Sequence, residues 1–172
     1  MRGPASPYLQ GRGSTSDAYF TEPATPLFPF GFGLSYSSFA VKSPELSPDP
    51  AAHVFSANDT FTISGQIAST GPAGKLTLLL FFSQNAPTKW ARFERALAGF
   101  GKFTVPADST GTAFSFSASV RDFDAYEPAT SDYEVYTGTY TVWLATDATA
   151  APLATWTLKV QGSYSWVWDF SQ

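Results

Sequence analysis

The chain has 172 residues, 14% of them charged, a formal net charge of -4 and no cysteine. That length suits one domain with an arm or tail, and a hydrophobic content of 44% is enough for a core. The acidic balance argues against a nucleic-acid partner, and the missing cysteines exclude disulfides and thiolate chemistry. No apolar run approaches the ~20 residues that cross a membrane, so none is expected as a partner.

Residues 1–25 mix Gly, Pro, Ser and Thr with few aliphatics and read as an irregular arm without its own core. The opening MRGPASPYLQGRG carries charge but no apolar stretch, so it is not a secretory signal. Residues 26–39, PLFPFGFGLSYSSF, are different in kind. In an extended conformation Phe28, Phe30, Phe32, Leu34 and Tyr36 fall on one side, with Pro29, Gly31, Gly33 and Ser35 on the other. A stripe this apolar is expected to be pinned between two bodies rather than solvated.

From Tyr36 the pattern is β. Residues 36–42 read as a short strand, and Pro44, Pro48 and Pro50 as a loop that ends it. Residues 59–69 alternate, with Phe61, Ile63 and Ile67 on one parity, up to the turn STGPAG. KLTLLLFFS is apolar on both parities, as in a strand covered on both faces. Strands are expected within RFERALAGFGKFTV and over 112–120, followed by a polar loop from Asp122 to Thr137. Residues 139–146 and 154–160 complete the set, with Tyr140, Val142, Leu144, Trp156, Leu158 and Val160 inward. About seven strands with Gly/Pro turns and no long helix predict an all-β, immunoglobulin-like two-sheet sandwich. Its expected core holds Phe61, Ile63, Leu78, Leu80, Phe114, Phe116, Tyr140, Val142, Trp156 and Leu158.

Residues 26–39 also resemble the segment that enters the C-terminal fibronectin type III-like domain of glycoside hydrolase family 3, P-L-[FY]-P-F-G-[FY]-G-L-S-Y-[ST]-x-F. RALAGFGKF, VRDFDAY and GTYTVWL are similar to later segments of that domain, and Gly11, Arg12, Tyr19 and Phe20 to a motif shortly before it. The resemblance implies an arm and Phe-rich connector over 1–35, a fibronectin type III-like domain over 36–162 and an aromatic tail over 163–172. It implies a secreted parent enzyme that hydrolyses terminal β-xylosyl or β-glucosyl residues with retention. The double-leucine strand leans toward the β-xylosidases. This part would be structural, with the catalytic domains of the same enzyme as its partner. The catalytic Asp and Glu belong to those domains and neither surrounding motif occurs here, so no catalytic residue and no cofactor is expected and the chain alone should be inactive.

The residues leave little other chemistry. Asp122, Asp124, Glu127, Asp132 and Glu134 cluster in one stretch and are read as a solvated turn whose acids satisfy backbone donors. His53 is the sole histidine and no serine sits in G-x-S-x-G, so a hydrolytic triad and a zinc site are not expected. Asn58-Asp59-Thr60 is an N-glycosylation sequon. Trp143, Trp166 and Trp168 could stack on sugar rings, and the competing expectation is a stand-alone module that binds a polysaccharide surface or a protein partner. The favoured alternative is packing against the catalytic domains or at the sandwich edge. Phe28, Phe30, Phe32, Trp166 and Trp168 are the expected interdomain contact.

Overall fold

Strand β4 (Gly74–Asn85) is the longest element and lies inside a five-stranded sheet. In this computed structural model, which describes residues 28–85, 95–127 and 129–162 and the backbone of 164–166, the sheets grow outward from β4. Its antiparallel neighbours are β5 (Ala96–Val105) and β9 (Gly138–Ala145). Next to β9 come β10 (Ala154–Val160), antiparallel, and the short β2 (Val54–Phe55), parallel. The second sheet places β3 (Thr60–Thr70) between β1 (Ser38–Ser47) and β6 (Thr112–Ser119), both antiparallel to it. The chain thus crosses from β3 to β4, from β5 to β6 and back to β9, the Greek-key path of a sandwich.

Period-2 alternation builds the core. Phe61, Ile63 and Ile67 of β3 meet Leu78, Leu80 and Phe82 of β4 in one buried cluster with Val142, Leu144 and Leu158. Phe123 stacks on Phe82 at 4.5 Å and on Tyr140 at 5.2 Å between ring centroids. Tyr140, near the start of β9, donates its hydroxyl to the Tyr136 carbonyl at 2.8 Å. A buried phenol bonded to backbone just upstream is the tyrosine corner of immunoglobulin-like sandwiches. Of the expected core, Phe116 and Trp156 are only half-buried and pack on the cluster from its margin.

Three expectations are corrected. The first strand does not stop at residue 42. It runs to Ser47 through a bulge between Lys42 and Glu45, with Ser43 at φ +45°. As β1 is a sheet edge, the missing N–H of Pro44 leaves no inner ladder bond unmade. The polar loop of 122–137 is structured: a 3₁₀ turn Val120–Phe123 is followed by the hairpin β7 (Ala125–Glu127) and β8 (Asp132–Val135). That hairpin pairs with β11 (Tyr164–Trp166), so a third small sheet accompanies the two main ones. Phe123 and Val135 anchor it in the main core.

Phe61→Ala should lower unfolding stability by about 3–5 kcal/mol in urea titrations, since it deletes a fully buried ring. Tyr140→Phe, which keeps the ring and removes the corner hydrogen bond, should cost about 1 kcal/mol. Equal losses for the two would contradict this assignment of the core.

Candidate functional site

The Phe-rich connector is not extended throughout. Phe32 N–H donates to the Pro29 carbonyl at 2.9 Å, closing a turn with Gly31 at φ +88°. Positive φ at the third turn residue is a glycine conformation. There is a second reason for glycine at 31: a Cβ would overlap Leu79 and lie 2.9 Å from the Thr146 carbonyl oxygen. The turn brings the Phe28 and Phe32 rings to 5.1 Å of each other. Phe30 offers its carbonyl to Ala148 N–H at 2.8 Å, which ties the connector to the β9–β10 turn. Further on, Ser37 donates its hydroxyl to the Pro72 carbonyl before the chain enters β1.

The backbone is therefore fastened while the side chains are not. Phe28, Phe30 and Phe32 are 65%, 42% and 46% exposed, and Leu34 and Tyr36 are exposed as well. Beneath the connector lies a second apolar cluster, Leu79, Phe81, Trp143 and Ala145, on the outer face of the five-stranded sheet. Trp143 leaves the main core, as its parity implies, yet it is buried rather than open to a sugar. Arg95 lies 5.4 Å over its ring and donates to the Ala148 carbonyl. Trp143 Nε1 has no hydrogen-bond partner among the described residues. The side chain of Trp166 and all of Trp168 lie outside the described residues, as do Gly11, Arg12, Tyr19 and Phe20.

Asp147 organises the adjoining turn. Its Oδ1 accepts Thr149 N–H at 2.8 Å, Thr149 Oγ1–H at 2.9 Å and Ala150 N–H at 2.7 Å. Burial opposes its ionisation, but those donors and the Arg95 charge outweigh burial and hold the carboxyl below the ordinary 3.8.

The acidic stretch divides into separate tasks. Asp122 caps the 3₁₀ turn by accepting Ser119 N–H at 3.1 Å. Glu127 is not solvated: it is 1% exposed and accepts Tyr136 Oη–H at 2.8 Å and Ala129 N–H at 3.2 Å. Burial, the bond to Glu127 and the charge of Glu134 push the Tyr136 phenol well above its ordinary range. His53 lies 3.4 Å from Asp59, whose other contacts are Ser56 N–H and Oγ–H. The order Ser–Asp–His puts a weakly basic carboxylate, not the imidazole, on the serine, which is not the arrangement of a hydrolytic triad. No group of three His, Asp or Glu among the described residues is placed to hold a metal. One open groove of about 470 Å³ runs between Leu97–Phe100 and Arg121, Asp122 and Asp124.

Known proteins match this architecture. Residues 77–148 match the fibronectin type III-like domain family. A β-xylosidase from Formosa agariphila is 31% identical over 151 residues, covering 87% of this chain and 20% of its own. A periplasmic β-glucosidase from Salmonella typhimurium is 27% identical over 131 residues, covering 76% and 16%. The crystal structure of a GH3 β-glucosidase from Bifidobacterium adolescentis superposes with a TM-score of 0.64 at 25% identity, over 77% of this chain and 18% of that one. The β-glucosidase 3B structure from Thermotoga neapolitana, with glucose, gives 0.69 at 21% identity, over 84% and 19%, and supports the fold alone. The chain spans about a fifth of the length of the relatives and structures it matches.

A depressed carboxyl stabilises the fold above its unfolded pKa, and that contribution is lost as pH falls through the folded value. Asp147→Asn keeps an acceptor for the turn but removes the titrating charge. The drop in urea midpoint between about pH 7 and about pH 3 should therefore be smaller in the variant than in the parent chain. An unchanged drop would show that Asp147 carries none of the acid sensitivity.

Proposed function

We propose, for a chain whose fibronectin type III-like domain matches the C-terminal region of family 3 β-glucosidases and β-xylosidases, that it acts as a non-catalytic buttress for the catalytic domains of such an enzyme. The parent would hydrolyse terminal β-D-xylosyl or β-D-glucosyl residues. One observation carries the reading: Phe28, Phe30 and Phe32 are exposed on a connector whose backbone is bonded in place. An unfastened arm could fold its rings inward. This one is held by Gly31 against Leu79 and by Phe30 against Ala148, so its rings project where a second body would cover them. Covering what remains exposed of three Phe is worth roughly 1–2 kcal/mol each, a useful share of a domain contact. The matched relatives are about five times longer than the matched segment, which leaves ample chain in such an enzyme to form that body. The side chain of Trp166 and all of Trp168 lie outside the described residues.

The groove beside Phe100 favours a second reading, a module for a polysaccharide surface. Phe100 is 66% exposed, and Arg121, Asp122 and Asp124 line the same groove. Aromatic and charged groups side by side suit a sugar ring's faces and hydroxyls.

A chimera separates the two. The matching C-terminal fifth of the Formosa β-xylosidase is replaced by this chain, with or without Phe28→Ser, Phe30→Ser and Phe32→Ser. The buttress reading expects the unsubstituted chimera to hydrolyse an aryl β-xyloside and the triple variant to lose thermal half-life about tenfold or more with KM unchanged. This chain by itself should hydrolyse neither aryl β-xylosides nor aryl β-glucosides. Equal half-lives for the two chimeras would refute the buttress, and retention of this chain by insoluble xylan, abolished by Phe100→Ala, would favour the module.

A further inference from the structure

We infer that Asn58 is an N-glycosylation site and that its glycan stands at the pole of the sandwich opposite the aromatic connector. Asn58-Asp59-Thr60 is the chain's one acceptor triplet, since Asn85, the other asparagine, is followed by Ala86 and Pro87. A triplet is only a composition match until the fold presents it, and here the fold does. The turn between β2 and β3 is closed by Asp59 N–H donating to the Ser56 carbonyl at 3.1 Å. The Asp59 carbonyl accepts Val120 N–H at 2.9 Å, which ties the turn to the 3₁₀ turn.

Within that frame Ala57 points into the core and Asn58 points out. The middle residue is kept out of the way. The Asp59 carboxylate folds back onto Ser56 N–H and Oγ–H, at 2.8 and 2.7 Å, rather than toward the Asn58 amide. Thr60 follows as the exposed first residue of β3, opposite Ser119. Amide and hydroxyl are thus both presented to solvent by a turn bonded on either side.

The donor is a lipid-diphosphate-linked oligosaccharide. Asn58 Nδ2 forms a bond to the anomeric carbon, the anomeric C–O bond breaks, the lipid diphosphate leaves with the electron pair, and the amide nitrogen gives up one proton. The inference rests on the parent enzyme being secreted, as the family resemblance implies, and on nothing in the docking argument. The two are compatible on one molecule. Ser38, just after the connector, pairs with Thr70, while Thr60 pairs with Ser119 at the other end of β3. The eleven residues of β3 put roughly 30 Å between Asn58 and the start of β1.

The test uses the full chain, made with a cleavable leader through a eukaryotic secretory pathway. Peptide mass spectrometry after peptide:N-glycosidase treatment should find Asn58 converted to Asp in most of the secreted protein. Asn58→Gln and Thr60→Ala should each abolish the glycan, Thr60→Ser should keep it, and Asn85→Gln should change nothing. Asn58→Gln should also leave binding of a hydrophobic dye at the Phe28–Phe32 face unaltered, so loss of the glycan does not bear on the buttress. Folded, secreted chain whose Asn58 peptide is wholly unmodified overturns the inference, as does a glycan that survives Thr60→Ala.

Discussion

The fold depends on one strand that is apolar on both faces. Leu78, Leu80 and Phe82 of β4 enter the main core, while Leu79 and Phe81 emerge on the far side of the sheet. A sheet face in a two-layer sandwich normally turns polar residues outward, so this one needs a cover. The cover is assembled from what lies closest. Trp143 and Ala145 of the neighbouring strand, Ala148 of the following turn, Arg95 at the entry to β5 and the backbone of the connector at Gly31 all converge on it. The aromatic connector is thus positioned by the same burial requirement that places the sheet.

That cover is economical but incomplete. It covers Leu79 and Phe81 with the Trp143 ring, Ala145, Ala148 and the connector backbone at Gly31, and it leaves the three phenylalanine rings of the connector exposed. Burying Trp143 in it leaves the indole N–H with no acceptor among the described residues, a cost of about 1–3 kcal/mol that good packing of the large ring can offset. The polar bonds nearby, three donors on one Asp147 oxygen and the Arg95 contact to Ala148, fix the turn on which the connector rests. Local electrostatics here hold the turn in position.

The sandwich was legible in the sequence wherever alternation ran for six or more residues, as in β3, β6 and β10, and where it failed in an informative way, as in β4. The hairpin β7–β8 escaped because strands of three and four residues give too little periodicity, and because acids in a run read as solvated. Tyr126 and Tyr133, directly opposite in the register with rings 5.5 Å apart, were the signal available there. Glu127 could not be recognised as buried, because its satisfaction comes from Tyr136 nine residues away across a turn that sequence does not reveal. The connector's apolar stripe was visible, but its tight turn depended on Gly31 meeting Leu79, a contact across nearly fifty positions.

The double-sided strand has a consequence before folding is complete. LTLLLFF is long, β-prone and uncharged, with Lys75 just ahead of it, the profile of a segment that associates with its own copies in the unfolded chain. Pairing with β5 on one side and β9 on the other removes both edges, but β9 begins more than fifty residues later in the chain. Until then one side of β4 is open. Nor does the usual penalty for slipping by one position protect it, since either face is apolar; the bulge between Leu80 and Phe81 is the mark that distinguishes the right alignment from its neighbours. Solubility during synthesis therefore rests on how soon β9 arrives, a matter of timing that no contact in the finished sandwich records.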